Sequence, residues 1–312
     1  MINTQIRLAI LGYGKECSSK NAALASTVGK FAGKNGISLV GGNVSATFEH
    51  AFKAAYKYQV SNFCVIEKHK KLTDEHLATE VYRTADTFSK HAQIEKLSDA
   101  AIIIGGGSGS QLLLNHFLKS KKTVIAIEGS GGLSKGKLPR QVIRAAHPSE
   151  AFKILFSSRK KVHMATDFGT LELDYNHLAL HSARIIKSTE EFLEKPSDPF
   201  VRQLKSYFKG TLKEFTGKIH LQGTEFQIKV WKSLLDIPYG KTSEYGEIAK
   251  FLGDSKAQRA VGHVSGQNPI WIIIPCHRLI SKDGSLSGYA GGLEMKRRLL
   301  DIEKHQTELR IF

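Results

Sequence analysis

Cys276 stands between Pro275 and the pair His277-Arg278, at the end of the run Asn268-Pro269-Ile270-Trp271-Ile272-Ile273-Ile274. A thiolate is a strong nucleophile and a thiol is not, so a cysteine beside basic side chains is a candidate for covalent chemistry. The five apolar residues predict a buried segment, and Pro275 ends it, so the cysteine emerges from packed structure in a rigid turn. The opposing reading is an inert buried cysteine, the commoner fate of an isolated one. His277 and Arg278 weigh against inertness, because both are costly to bury without partners. Cys17 and Cys64 are the other cysteines. An odd, sparse set argues against a disulfide framework and a cysteine-rich zinc site, and no metal centre is expected.

The elements that must position this stretch carry clear helix signals. Ser197-Asp198-Pro199 offers a cap with proline at the first helical position, and Phe200, Leu204 and Phe208 recur every fourth residue before Gly210. Thr224 and Gln227 form a capping-box pair, after which Phe226, Val230 and Leu234 share a face until Pro238. A helix follows Thr242-Ser243 and breaks at Gly253. Ser255 and Gln258 make a second box, opening a helix to about Ser265 with Gly266 as its C-cap. Two short helices across a tight turn are a helix-turn-helix candidate, although packing alone also accounts for them. Upstream, Thr166–Ile186 alternates around two polar turns and reads as a small hairpin.

The first 130 residues alternate apolar runs with helical patterns, the mark of a doubly wound parallel sheet. Strands are expected at Ile6–Leu11, Ile37–Val40, Phe63–Ile66, Ala100–Ile104 and Thr123–Ile127, with helices over Asn21–Lys34 and, following the loop Gly105–Ser110, through Leu118. Gly41-Gly42 and the loop Gly105-Gly106-Gly107-Ser108-Gly109-Ser110 each follow a strand and precede a helix. There, backbone N–H groups can hold a phosphate, so Gly41, Gly42, Gly105, Gly106, Gly107 and Gly109 are candidate nucleotide-binding residues. From about 135 to 160 the pattern degrades, which places a domain boundary near residue 158.

With 312 residues, two domains are expected. Hydrophobic residues at 41% and charged residues at 24% exclude a disordered chain, a collagen and a coiled-coil rod. No apolar run reaches the roughly 20 residues of a membrane span, and the N-terminus lacks the pattern of a secretory signal, so a cytoplasmic protein with no membrane partner is expected. The net charge of +16 invites a nucleic-acid reading. Residues 1–150 hold 20 basic against 11 acidic side chains, and residues 216–312 hold 14 against 10, so the excess is diffuse and decides nothing.

From about Pro199 to Glu303 the chain resembles the O6-alkylguanine-DNA alkyltransferases. The matching text is GTEFQIKVWKSLLDIPYGKTSEYGEIA, RAVG, NPIWIIIPCHRLI and GSLSGYAGGLEMKRRLLDIE. The resemblance implies that Cys276 accepts an alkyl group from O6-alkylguanine in duplex DNA, with O4-alkylthymine a further substrate. It implies that His277 activates Cys276 through a water, that Glu303 orients His277, and that Tyr245 assists the departing base. The thioether cannot be hydrolysed, so the protein reacts once and needs no cofactor. Arg259 matches the side chain that fills the gap left by a flipped nucleotide. Ala260, Gly262 and Ser265 match the small residues that let the second helix enter the minor groove, where His263 and Val264 replace the usual Gly or Ala. Asn268 matches the hinge after that helix, and Tyr289 and Gly291 fall in the loop that walls the guanine pocket. Residues 159–215 resemble the family's small N-terminal subdomain weakly, and 216–312 form its catalytic and DNA-binding part, acting as a monomer.

Residues 1–158 resemble the Rossmann-like lysine-decarboxylase-like (SLOG-type) superfamily, which includes nucleotide hydrolases. Gly105 stands where that group has a proline, and Leu113 where its hydrolases carry a catalytic glutamate. The resemblance therefore implies a possible nucleotide ligand in place of hydrolysis, in a domain able to oligomerise. Two alternatives remain: a nucleotide sensor whose C-terminal part only recognises alkylated DNA, and an N-terminal nucleotide hydrolase.

Overall fold

The computed structural model describes residues 1–14, 16–42, 46–71, 75–157, 159–186 and 198–308, with side chains to 304. The chain divides into two compact units, Gln5–Ser158 and Met1–Thr4 with Arg159–Phe312. The two-residue strand β1 (Ile2–Asn3) pairs in parallel with residues 217–218 and so belongs to the second unit.

The first unit is a seven-stranded parallel sheet: β2 (Arg7–Gly12), β3 (Ser38–Gly42), β4 (Asn62–Glu67), β5 (Glu80–Thr84), β6 (Ala100–Ile104), β7 (Thr123–Ile127) and β8 (Val142–Ala145), in the order β5-β4-β3-β2-β6-β7-β8. Central strands are buried on both faces, which is why they read as unbroken apolar runs. Helix α1 (Ser19–Lys34) packs with α2 (Ala46–Tyr56) and with α5 (Pro148–Ser157), and α3 (Thr87–Leu97) with α4 (Ser108–Lys119). Helix α1 ends at Asn35, and Gly36 takes φ +65° as its cap pair requires. The stretch that reads as degraded, 135–157, contains β8 and α5. Ala151, Phe152 and Leu155 give α5 a buried helical stripe that its polar neighbours disguise.

In the second unit the expected hairpin is a three-stranded antiparallel sheet, β9 (Lys160–Thr166), β10 (Gly169–Tyr175) and β11 (Leu180–Ile186), with β10 central. Ser197 lies outside the described residues, and Asp198 caps α6 (Pro199–Phe208) through Phe200 N and Val201 N. The inward stripe of α6 is Val201, Leu204 and Tyr207, with Phe200 and Phe208 at its flanks. After β12 (Gly217–Lys218), α7 (Glu225–Leu235) has the expected Thr224–Gln227 capping box. Strand β13 (Ser243–Glu244) leads into α8 (Tyr245–Phe251), and α9 (Gln258–Gly266) follows. The expected Ser255 cap is absent: Ala257 precedes α9 without a side-chain bond, because Asp254 organises the turn by accepting from Lys256 N. Gln267, one residue beyond Gly266, is the C-cap. Strand β14 (Leu279–Ile280) pairs with β13, and α10 (Leu293–Glu308) ends the described chain. One apolar core joins the three-stranded sheet to α6, α7, α9 and α10.

Candidate active site

Asn268 begins the segment that delivers the cysteine. Its Oδ1 accepts from Ile270 N (2.9 Å), and its Nδ2 donates to Ile274 O (2.8 Å) and to Cys276 Sγ (3.0 Å). Ile270–Ile274 closes on itself, with Ile274 N bonded to Ile270 O, and docks on β11 through Trp271 N to Ala183 O. Closure forces Ile272 to φ +74°. A β-branched residue there costs about 1–2 kcal/mol, held by the surrounding packing. Cys276 then opens a 3₁₀ turn, Cys276–Arg278, and is 4% exposed. Burial pushes its thiol up to about 11, against the pull of the Asn268 bond and the Lys296 charge.

His277 and Arg278 both reach Glu303 on α10. His277 Nε2 lies 2.8 Å from Glu303 Oε1, while Arg278 gives Nε to Oε2 (2.9 Å) and Nη2 to Oε1 (3.0 Å). Tyr207 Oη donates to Oε1 (2.8 Å), and Gly240 N to Oε2 (3.1 Å). Burial opposes the charge on Glu303, but His277 and Arg278 outweigh it and hold the carboxyl at about 2. Burial lowers the pKa of His277, against the pull of Glu303, and its Nδ1 is buried with no hydrogen-bond partner. Nδ1 is thus the acceptor left for a proton.

The expectation that both flanking cations favour the thiolate is corrected here, since Arg278 forks onto Glu303. The cation bearing on Cys276 is Lys296, fully buried in α10. Its Nζ donates to Ser287 O (2.6 Å) and sits 5.9 Å from the Tyr245 ring centroid. Burial brings its pKa down to about 8, opposed by the Cys276 charge. Tyr245, the first residue of α8, donates to the same Ser287 O (3.0 Å). Tyr289 has a buried, unpartnered hydroxyl, and its ring lies 6.0 Å from Trp271. A Cβ on Gly291 would fall 2.8 Å from Tyr289 and 2.6 Å from Met295 Sδ, so any larger residue there would push these two side chains aside. Cys276, His277, Glu303, Tyr245, Tyr289, Gly291 and Asn268 therefore belong to one region linked by contacts.

Arg259 and Ala260 are exposed at the start of α9, and Gly262 is half-buried against Tyr245. Ser265 does not share their face: it is 5% exposed and points inward. Asn268 likewise bonds the thiol from inside and is no surface contact. Lys296 and Tyr207 escape sequence reasoning. Lys296 occupies a core position beside Met295 and Leu299, and that apolar setting is its one weak signal in the sequence.

In the first unit the sheet reverses direction of growth between β2 and β6, the topological switch point where ligands bind in doubly wound folds. Gly12 ends β2, and Gly105 follows directly on β6. Gly105 (φ +68°) and Gly106 (φ +94°) require left-handed backbone, and a Cβ on Gly105 would strike the Tyr13 ring. A Cβ on Gly41 would fall 2.0 Å from Phe48, so packing by itself accounts for a glycine at this position. Gly42 meets only ordinary contacts, and Gly107 and Gly109 are exposed, with open space where a Cβ would point. Leu113 is buried in the core between α4 and the sheet. Among the described residues, no group of three His, Cys, Asp or Glu side chains could hold a metal.

Comparison with known proteins matches residues 225–305 to the family "6-O-methylguanine DNA methyltransferase, DNA binding domain" and residues 5–162 to the SLOG cluster4 family. The methylated-DNA–protein-cysteine methyltransferase of Methanosarcina acetivorans is 54% identical over 114 residues, 36% of this chain and 70% of the relative. This chain belongs to the methylated-DNA–protein-cysteine methyltransferase family. The Mycobacterium bovis methyltransferase is 56% identical over 107 residues, 34% of this chain and 65% of the relative. The SLOG cluster4 match spans half of the chain, so the methyltransferase region is joined to a SLOG cluster4 unit. A solved O6-methylguanine methyltransferase from Mycobacterium tuberculosis is 42% identical, with a TM-score of 0.44 over 47% of this chain and 94% of its own. A molybdenum cofactor binding protein from Rippkaea orientalis is 21% identical, with a TM-score of 0.42 over 49% of this chain and 96% of its own. As a member of the methyltransferase family, this chain presents a buried thiol backed by histidine and glutamate.

Proposed function

We propose that this chain repairs DNA by direct reversal, with Cys276 taking the alkyl group from O6-alkylguanine in a duplex. The observation that carries the reading is the buried thiol, held by Asn268, beside a histidine whose outer nitrogen is fixed on Glu303. The thiol proton passes to His277 Nδ1, directly or through a water, and Glu303 stabilises the imidazolium. The S–C bond forms as the C–O bond breaks, and the electron pair leaves with the guanine, which regains a proton with help from Tyr245. Lys296 offsets thiolate charge that the buried site would otherwise disfavour. The reaction requires the base outside the stack, so Arg259 and Ala260 on α9 face the duplex, and Tyr289 walls the pocket. A thioether resists hydrolysis, and the protein turns over once, in the cytoplasm.

The test is intact-mass spectrometry after mixing with methylguanine duplex DNA. One methyl group gained and mapped to Cys276 is the expected result. Cys276→Ala should gain none while still binding the duplex, and stoichiometric methylation of that variant would overturn the assignment.

A second reading concerns the first unit. The open positions at Gly107 and Gly109, at the N-terminus of the twelve-residue α4, favour a phosphorylated nucleotide at the switch point. Leu113 offers no acid or base, which disfavours hydrolysis, and retention of Cys276 with its network disfavours a protein that only senses alkylated DNA.

A further inference from the structure

Tyr207 reaches the cluster behind the thiol from α6, outside the 225–305 family match. We propose that Tyr207 is a positioning residue of the alkyl transfer: it holds the Glu303 carboxylate as a pure acceptor and so fixes His277 in the tautomer whose Nδ1 can take the Cys276 proton. The proposal rests on the alkyl-transfer reading and adds a residue that neither the family match nor the motifs single out.

The geometry supplies the reasoning. Glu303 Oε1 faces Tyr207 Oη, His277 Nε2 and Arg278 Nη2, and Oε2 faces Arg278 Nε and Gly240 N. The phenol, guanidinium and backbone amide can only donate here. Burial, with the Glu303 charge adding to it, raises the Tyr207 pKa well above 10, so its proton stays in place at every working pH. A carboxylate ringed by such donors has no place for a proton of its own. Nε2 must therefore carry one, which leaves Nδ1 bare. Tyr207 Oη also lies 3.4 Å from Nε2, which limits sideways drift of the imidazole. The ring is itself fixed: it is fully buried, 5.4 Å from the Phe215 centroid and 6.2 Å from Tyr239. The other titratable groups around the pair are Cys276, Arg278, Lys296 and Tyr239. None of them replaces the phenol as a donor to Oε1 except Arg278, which is already bonded there.

Tyr207→Phe removes one donor from Oε1 and leaves the ring. The carboxylate becomes the stronger acceptor, the imidazolium is favoured, and the base titrates at higher pH. Wild-type protein with O6-benzylguanine is measured first; absence of a benzyl adduct on Cys276 sinks the alkyl-transfer reading itself. The pH–rate profile of Tyr207→Phe should then show its acid limb moved up by about half a unit or more, with about a threefold loss of rate on that limb. In a Glu303→Gln background the same change should have no further effect, because its route is gone. A lowered melting temperature with an unmoved limb, or equal rate losses in both backgrounds, overturns the proposal. If Tyr207→Phe does not fold, 3-fluorotyrosine at position 207 serves instead. It is a stronger donor of nearly equal size, so the limb should move down, and an unmoved limb again overturns the idea.

Discussion

Asn268→Ala separates the chemistry of the thiol from the folding of its loop. The substitution deletes three hydrogen bonds, to Cys276 Sγ, Ile274 O and Ile270 N. Ile270 N is left buried and unpaired, at about 1–3 kcal/mol, whereas Ile274 O keeps the bond from Cys276 N and loses only its second donor, at about 0.5–1.5 kcal/mol, so unfolding stability should drop by roughly 1.5–4.5 kcal/mol. The strain at Ile272 adds to the tendency of the loop to open. The bond to Sγ acts differently, because it strengthens as charge grows on sulfur. A hydrogen bond to a charged group is worth about 1.5–3 kcal/mol, which corresponds to transfer about 10- to 150-fold slower. Stability is read by urea unfolding followed through tryptophan fluorescence. Both tryptophans, Trp231 and Trp271, lie in the C-terminal unit, so the signal reports that unit. The rate is read as adduct formation with O6-benzylguanine, corrected to the folded fraction. If folded Asn268→Ala transfers within about threefold of wild type, Nδ2 does not support the thiolate and the reasoning fails.

Arg259→Ala should slow repair of duplex DNA far more than reaction with free O6-benzylguanine, since only the duplex leaves a gap to fill at a few kcal/mol of unstacking; equal losses on the two substrates would refute the finger role. Lys296→Met removes the cation bearing on Cys276 and should slow transfer tenfold or more, while iodoacetamide labelling of Cys276 titrates at higher pH; unchanged labelling would place the lysine's role elsewhere. Gly107→Val has extended backbone and open space for its side chain, so it should fold normally and abolish calorimetric binding of a mono-, di- or cyclic nucleotide panel by residues 1–158. If wild type gives no heat with any of the panel, the nucleotide reading falls. Burial holds His181 and His220 at about 4, hence neutral in the fold, whereas the unfolded chain takes up protons near 6.5. Folded pKa values below unfolded ones mean full stability above about pH 6.5 and loss as pH falls from 6.5 to 4, on the order of 3 kcal/mol per histidine. Urea midpoints by tryptophan fluorescence at pH 7 and 4.5 check this, and a flat profile contradicts it.

What could be read from the sequence follows from where each side chain finds its partner. Ala100–Ile104 and Thr123–Ile127 coincide with β6 and β7 to the residue, because a central parallel strand buried on both faces must be apolar throughout. The edge strands β5 and β8 carry no apolar run to read, because about half of their residues face outward, and the polar neighbours of α5 disguise its stripe. Thr224–Gln227 announced α7 because both capping partners are local, while Ser255–Gln258 has the same spacing and forms no box, Asp254 having taken the turn. The site divides the same way. Cys276, His277 and Arg278 are visible as neighbours in the chain, yet their adjacency misleads about who pairs with whom. Arg278 serves Glu303, 25 residues on, and Tyr207 meets the same carboxylate across 96 residues. A buried lysine reads as a surface residue until Ser287, Tyr245 and Cys276 are seen around it. Such polar groups are stable inside only because their partners arrive from distant segments, so no local pattern can announce them. Their roles are accordingly the part of this site that only the assembled fold could suggest.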